Sequence, residues 1–172
     1  MSLRDLARRA GVSHAAPAHH FGDKAGLLTA LATEGHNLLA EELDRTRERT
    51  GSILEIGVGY VRFAVTHRAH FEVMFQPDLL RANDGELAAA RARSGAALAA
   101  AVATVPGTDL RGIEPPLAGL SAWSIVHGFA TLWLSKSLPP ALGDDPEAAA
   151  RAVIRLLFAR PDPLTDPSPA GG

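Results

Sequence analysis

Apolar residues recur along most of this chain at the three- and four-residue spacing of helices with one buried face, and nowhere do they alternate long enough to make a strand. The pattern predicts an all-α protein. Ser2-Leu-Arg-Asp5 opens the first helix: the serine hydroxyl and the acid three residues on can close each other's unpaired amides, and Leu6, Ala7 and Ala10 follow. Gly11 ends it, because glycine accepts the left-handed backbone common at helix ends, and Val12 is placed to plug the turn. Ser13 caps a second short helix running to about Phe21, where Gly22-Asp23 interrupts it and Asp23 becomes the N-cap of the next.

Between Lys24 and Thr50 the stripe Leu27, Leu28, Leu31, Leu38, Leu39 and Leu43 predicts a long helix, with Glu41, Glu42, Arg45, Arg47 and Glu48 on its solvated side. Ser52 caps another, with Ile53, Ile56, Tyr60, Phe63 and Ala64 on one face, and Phe71-Glu-Val-Met-Phe75 makes a shorter segment closed by Pro77. Residues 84–105 are rich in alanine, the best helix former, until Pro106 and Gly107 break the run. Residues 116–137 and 146–160 supply the last two helices. The tail 161–172 carries too many prolines and too few apolar groups to pack, and is expected to be disordered.

Composition narrows the class. With 172 residues, 47% of them hydrophobic, the chain can fill one compact helical body with a small appended module. The absence of cysteine excludes disulfides and thiolate metal sites, and fits a reducing compartment. No run reads as approaching the roughly 20 apolar residues that span a bilayer, and the N-terminus lacks a signal-peptide layout, so the expectation is of a soluble, cytoplasmic protein with no membrane partner. The net charge of -2 argues against a nucleic-acid binder until it is divided by region. Residues 1–24 set Arg4, Arg8, Arg9 and Lys24 against Asp5 and Asp23, a balance of +2 that leaves -4 for the rest. A basic end on an acidic body suits attraction to phosphate.

Two short helices joined through Ala10-Gly11-Val12-Ser13 have the spacing of a helix-turn-helix, whose second helix lies in the major groove. The longer pattern, Leu3 through Ser13, then His20-Phe21-Gly-Asp-Lys24 and Leu27-Leu28, closely resembles the DNA-binding domain of the tetracycline-repressor (TetR) family. The resemblance implies double-stranded operator DNA as partner. Ser13 and His14 would stand at the N-terminal end of the reading helix, and Ala15 and Ala16 would let its backbone approach the groove floor. His19 would reach a phosphate or a base edge, Lys24 matches the family's phosphate-binding lysine, and Ser2 and Arg4 are further backbone contacts. Two departures stand out: Ala18 replaces the usual tyrosine, and Pro17 lies inside the reading helix. The family's module also has a helix before Ser2, so a chain beginning here is expected to hold DNA more weakly.

The resemblance divides the chain into a partial head at 1–35, a ligand-binding and dimerisation domain at 36–160, and the tail. Trp123-Ser-Ile-Val-His127-Gly128 looks like the Trp-x-x-x-His-Gly element of one C-terminal subclass, and His127 is read either as a packed histidine donating to a backbone carbonyl or as a ligand contact. Tyr60, Phe63, Phe71, Met74, Phe75, Trp123 and His127 are candidates to line a cavity for a small apolar or amphipathic ligand, and equally suit a plain core. His67-x-x-His70 has a metal-compatible spacing but no matching acidic pair, so both are read as surface histidines, with no metal and no cofactor expected. Homodimerisation is expected through residues 116–137, with Leu117, Leu120, Ser124 and Thr131, and 146–160, with Ala149, Ala152, Val153, Leu156 and Leu157 opposite Arg151 and Arg155. The implied function is a repressor released from DNA by its ligand. The alternative is a helical ligand- or partner-binding protein that has lost DNA recognition; an enzyme finds no support, since no nucleophile-base pair, phosphate loop or metal set is visible.

Overall fold

A computed structural model describes residues 19–103 and 115–158, and every regular element among them is helical. In order these are α1 (Lys24–Thr50), α2 (Ile53–Thr66), α3 (Arg68–Met74), a 3-10 turn at Pro77–Leu79, α4 (Gly85–Ala103), α5 (Pro115–Leu134), a 3-10 turn at Pro140–Leu142 and α6 (Pro146–Phe158). The expected helices before residue 19 and the tail lie outside the described residues. The expected division at residue 35 falls inside α1, which runs unbroken across it.

Short polar side chains start the helices by satisfying amides that have no partner within the first turn. Asp23 accepts from Gly26 N at 2.7 Å, Ser52 from Glu55 N at 3.4 Å, Asp84 from Leu87 N at 2.9 Å, and Asp145 from Glu147 N at 2.9 Å and Ala148 N at 3.1 Å. Gly51, with φ of 59°, ends α1 by returning its amide to Arg47 O at 2.8 Å. That left-handed backbone is why glycine stands there.

The core is built around α2. Val58, Tyr60, Val61 and Ala64 are fully enclosed, with Ile56 and Phe63 nearly so, because α1, α5 and α6 pack against different sides of this one helix. Its polar flank is held by ions: Arg62 meets Glu42 of α1 at 2.9 Å and both oxygens of Glu147 of α6 at 2.7 Å, while Arg151 grips Glu55 through two bonds of 3.0 and 2.8 Å. Glu42, expected on the outer face of α1, therefore turns inward to the α1–α2 contact.

The leucine stripe expected to seat α1 is only partly used. Leu39 and Leu43 are buried, but Leu27, Leu28, Leu31 and Leu38 are half-exposed, and the seam is completed by Gly26, Thr29, Ala32, Gly35, His36, Ala40 and Thr46. Small residues win here because α3 and α4 come close. A Cβ on Gly35 would lie 2.6 Å from Met74 Sδ, well inside van der Waals contact. In α6 the expected single face also divides: Ala149 joins Ala150 and Ile154 in the core, while Ala152 and Leu156 stay exposed.

His36 is a polar group inside this seam. Its Nδ1 lies 2.9 Å from Ser94 Oγ, its Nε2 is buried, and its ring meets that of Phe75 in a T-shaped contact at 5.9 Å between centroids. Burial, helped by the nearby Arg91 charge, pushes its pKa down to about 4. Below pH 6.5 the unfolded chain accepts a proton here that the folded chain refuses, so stability falls with pH through the window from 6.5 to 4. We expect unfolding free energy to drop between pH 7 and 5 by about 2 kcal/mol more in the wild type than in His36→Gln. Equal losses in denaturant titrations would contradict it. The carboxylates of Glu55 and Glu147, held low by Arg151 and Arg62, act in a separate window: their stabilisation is present above the ordinary carboxylate pKa and is lost at more acid pH.

Candidate ligand-binding site and reading head

Helix α2 places Tyr60 at the centre of the fold, and α5 brings Trp123 and His127, one turn apart on one face, over it. Trp123 Nε1 donates to Tyr60 Oη at 3.1 Å, and the same oxygen lies 3.0 Å from His127 Nδ1. The indole N–H can only donate, so the phenol accepts that bond, and its own hydrogen is free to pair with His127 Nδ1. In that arrangement Nδ1 is the acceptor and the neutral ring carries its hydrogen on Nε2. Burial lowers the His127 pKa and so favours this neutral form. Burial likewise holds the Tyr60 hydroxyl protonated.

Neither reading of His127, as a donor to a backbone carbonyl or as a simple ligand contact, foresaw this phenol partner. Phe71 and Phe75 of the α3 segment close the cluster, with Phe75 at 4.5 Å and Phe71 at 5.2 Å from the His127 ring centroid. A cavity of about 330 Å³ opens beside it, lined by Phe71, Phe75 and His127 together with Arg68, Glu72, Gln76, Thr131, Leu134 and Ser135. The structure thus gathers five of the seven proposed lining residues into one cluster. Phe63 lies elsewhere, stacked on His67 at 5.3 Å beside a separate 120 Å³ pocket with Leu38 and Arg62, and Met74 is spent against Gly35. The polar residues of the cavity were missed, although Thr131 and Ser135 follow His127 at four-residue steps and Arg68 precedes Glu72 by four.

His67 and His70 are half-buried rather than surface groups: His67 stacks on Phe63, and His70 Nε2 lies 3.2 Å from Glu34. Among the described residues no group of three or more potential ligands gathers for a metal. Of the proposed DNA-contacting residues, Ser2, Arg4, Ser13, His14, Ala15 and Ala16 lie outside the described residues. His19 and Lys24 are exposed, on either side of the turn where the helical segment His19–Phe21 ends at Gly22 with φ of 74°.

The family model described as tetracyclin repressor-like, C-terminal domain, matches residues 53–157, and that of bacterial regulatory proteins of the tetR family matches residues 1–31. The chain belongs to the TetR family of transcription regulators. A protein of unknown function from a Rhodococcus species is similar in structure with a TM-score of 0.71 and 29% identity, over 92% of this chain and 83% of that one. The TetR-family transcriptional regulator PfmR from Thermus thermophilus shares the fold with a TM-score of 0.70 and 24% identity, over 91% and 87% of the two chains. No curated sequence is similar to this chain. In this TetR-family body the cavity is lined by α3, by α5 and by the residues that directly follow each of them.

The Tyr60 hydroxyl gives the cluster a sharp test. Tyr60→Phe keeps the ring but strands the indole N–H and His127 Nδ1, which should lower stability by about 1–2 kcal/mol in denaturant titrations. It should also release the His127 tautomer, seen as a mixed pair of ring nitrogen shifts by NMR where the wild type shows one protonated Nε2. An unchanged single tautomer in the variant would contradict this assignment.

Proposed function

We propose that this TetR-family regulator is a repressor that binds operator DNA as a homodimer and is released when a small apolar or amphipathic ligand enters the cavity at His127. The observation that carries the reading is the outward face of α5. Leu117, Leu120, Ser121, Ser124, Thr131 and Leu132 are exposed along one side of that helix, and Leu156 of α6 is 75% exposed. A Cβ on Gly128, in the same row, would meet nothing within 4 Å, so no described helix of its own chain uses the approach that glycine leaves open.

Leu117–Leu134 is also apolar enough, by length and composition, to cross a bilayer, which the sequence reading did not credit to any segment. Its apolarity has another use here. One side enters the core through Ala118, Val126, Phe129 and Ala130, and the other offers a partner helix an apolar stripe. Two such helices from each subunit give a four-helix contact, which holds two reading helices about one DNA turn apart. The cavity supplies aromatic walls and, from the tautomer set by Tyr60, an N–H donor for an acceptor on the ligand. A ligand that fits only a conformer with wrongly spaced heads lowers DNA affinity by population shift.

Leu120→Glu should turn the dimer into a monomer in analytical ultracentrifugation without lowering helix content; a wild type that is monomeric at micromolar concentration would rule out the homodimer. Gel shifts of the full chain on the DNA flanking its own gene should show binding that weakens steeply with salt, and Lys24→Ala should reduce the logarithmic salt slope by about 1. Absence of binding at low salt would favour a ligand- or partner-binding protein without DNA recognition.

A further inference from the structure

Arg81 lies beyond the cavity wall, six residues after Phe75, and reaches across to the head. Its Nη2 donates to Phe21 O at 3.1 Å and to Asp23 Oδ1 at 3.0 Å, and its backbone N donates to Thr29 Oγ1 at 2.9 Å. Phe21 O is the last carbonyl of the helical segment His19–Phe21, and it also accepts from Asp23 N at 2.9 Å. A cation at a helix C-terminus satisfies an orphan acceptor and opposes the negative end of the helix dipole. Asp23 Oδ1 is at the same time the N-cap of α1. One guanidinium thus touches the end of one helix and the cap of the next, at the turn between them.

Two glycines line this turn. A Cβ on Gly26 would lie 2.0 Å from Phe21 O and 2.7 Å from Arg81 Nη2, and one on Gly22 would lie 3.2 Å from Arg81 Nη2. On the other side, the segment from Phe75 to Arg81 has little slack. Gln76 N returns to Val73 O, Leu79 N to Gln76 O and Leu80 N to Pro77 O, and Leu80 is buried in the core. Phe75 itself packs against both His127 and His36.

We propose that Arg81 is a positioning residue for the reading helix, and that the Phe75–Arg81 segment carries the state of the aromatic cavity to it. This rests on the regulator reading for its purpose, but not for its test. Moving the Phe75 ring shifts a short hydrogen-bonded segment whose far end is the guanidinium, and that changes how firmly the turn Phe21–Asp23 is held against α1.

The measurement is amide hydrogen exchange on the full chain without DNA or ligand. Arg81→Gln should speed exchange at residues 22–27 by about five- to tenfold, the loss expected for a charge-assisted pair open to solvent, while the α2 amides of Tyr60–Ala64 keep their wild-type rates. Arg81→Lys, which restores a cation, should recover part of the protection. Phe75→Leu should accelerate the same amides in the wild-type background and add nothing in the Arg81→Gln background. Unchanged rates at 22–27 in Arg81→Gln would overturn the positioning role, and additive effects of the two substitutions would overturn the transmission. Failure of the wild type to bind the DNA flanking its gene would count against the repressor reading alone, since the exchange result does not depend on it.

Discussion

A phenol oxygen buried on the enclosed face of the central helix is the constraint to which the rest of this molecule is fitted. Tyr60 has no exposure, so its hydroxyl must find partners inside the protein or cost what any unsatisfied buried polar group costs. Trp123 and His127 provide them, which fixes the rotation and the register of α5 against α2. Once α5 is locked in that orientation, its remaining positions have no freedom. Val126, Phe129 and Ala130 point into the core, Thr131 and Ser135 edge the cavity, and Leu117, Leu120 and Ser124 face outward.

The cavity and the head are connected through the same packing. Aromatic rings of the α3 segment close against His127, and the chain leaving that segment is pinned by Leu80 before Arg81 meets the turn that begins α1. The seam between α1 and the helices it lies on is made largely from glycine, alanine and threonine, which lets α3 and α4 approach closely. Interiors packed this tightly move as discrete arrangements rather than deform smoothly.

Charge on this acidic body is arranged at the joints rather than scattered. Arg62 joins α2 to α1 and α6, Arg151 joins α6 to α2, and Arg81 joins the cavity side to the head. All three are partly open to water, so their value lies more in fixing the geometry of the joints than in raw stability. His36 is the opposite case: enclosed among Ser94, Phe75 and Arg91, it stays neutral and makes the α1 seam sensitive to acid.

The sequence by itself determined the helical class, the caps at Asp23 and Ser52, and the family, because these depend on local spacing, on side chains within three or four residues of the amides they serve, and on a contiguous motif from Leu3 to Leu28. It also identified five of the aromatic and histidine residues of the cluster at the cavity. It did not reveal that Phe63 and Met74 would turn away, that Glu42 would face inward, that α6 would divide its apolar residues between two faces, or that Arg81 would reach Phe21. Four of those five rest on pairs far apart along the chain: Met74 against Gly35, Glu42 against Arg62, Ile154 beside Gly57, and Arg81 against Asp23. Only the tertiary structure decides such pairs, because a helical period says which residues share a face but not which neighbour that face will meet.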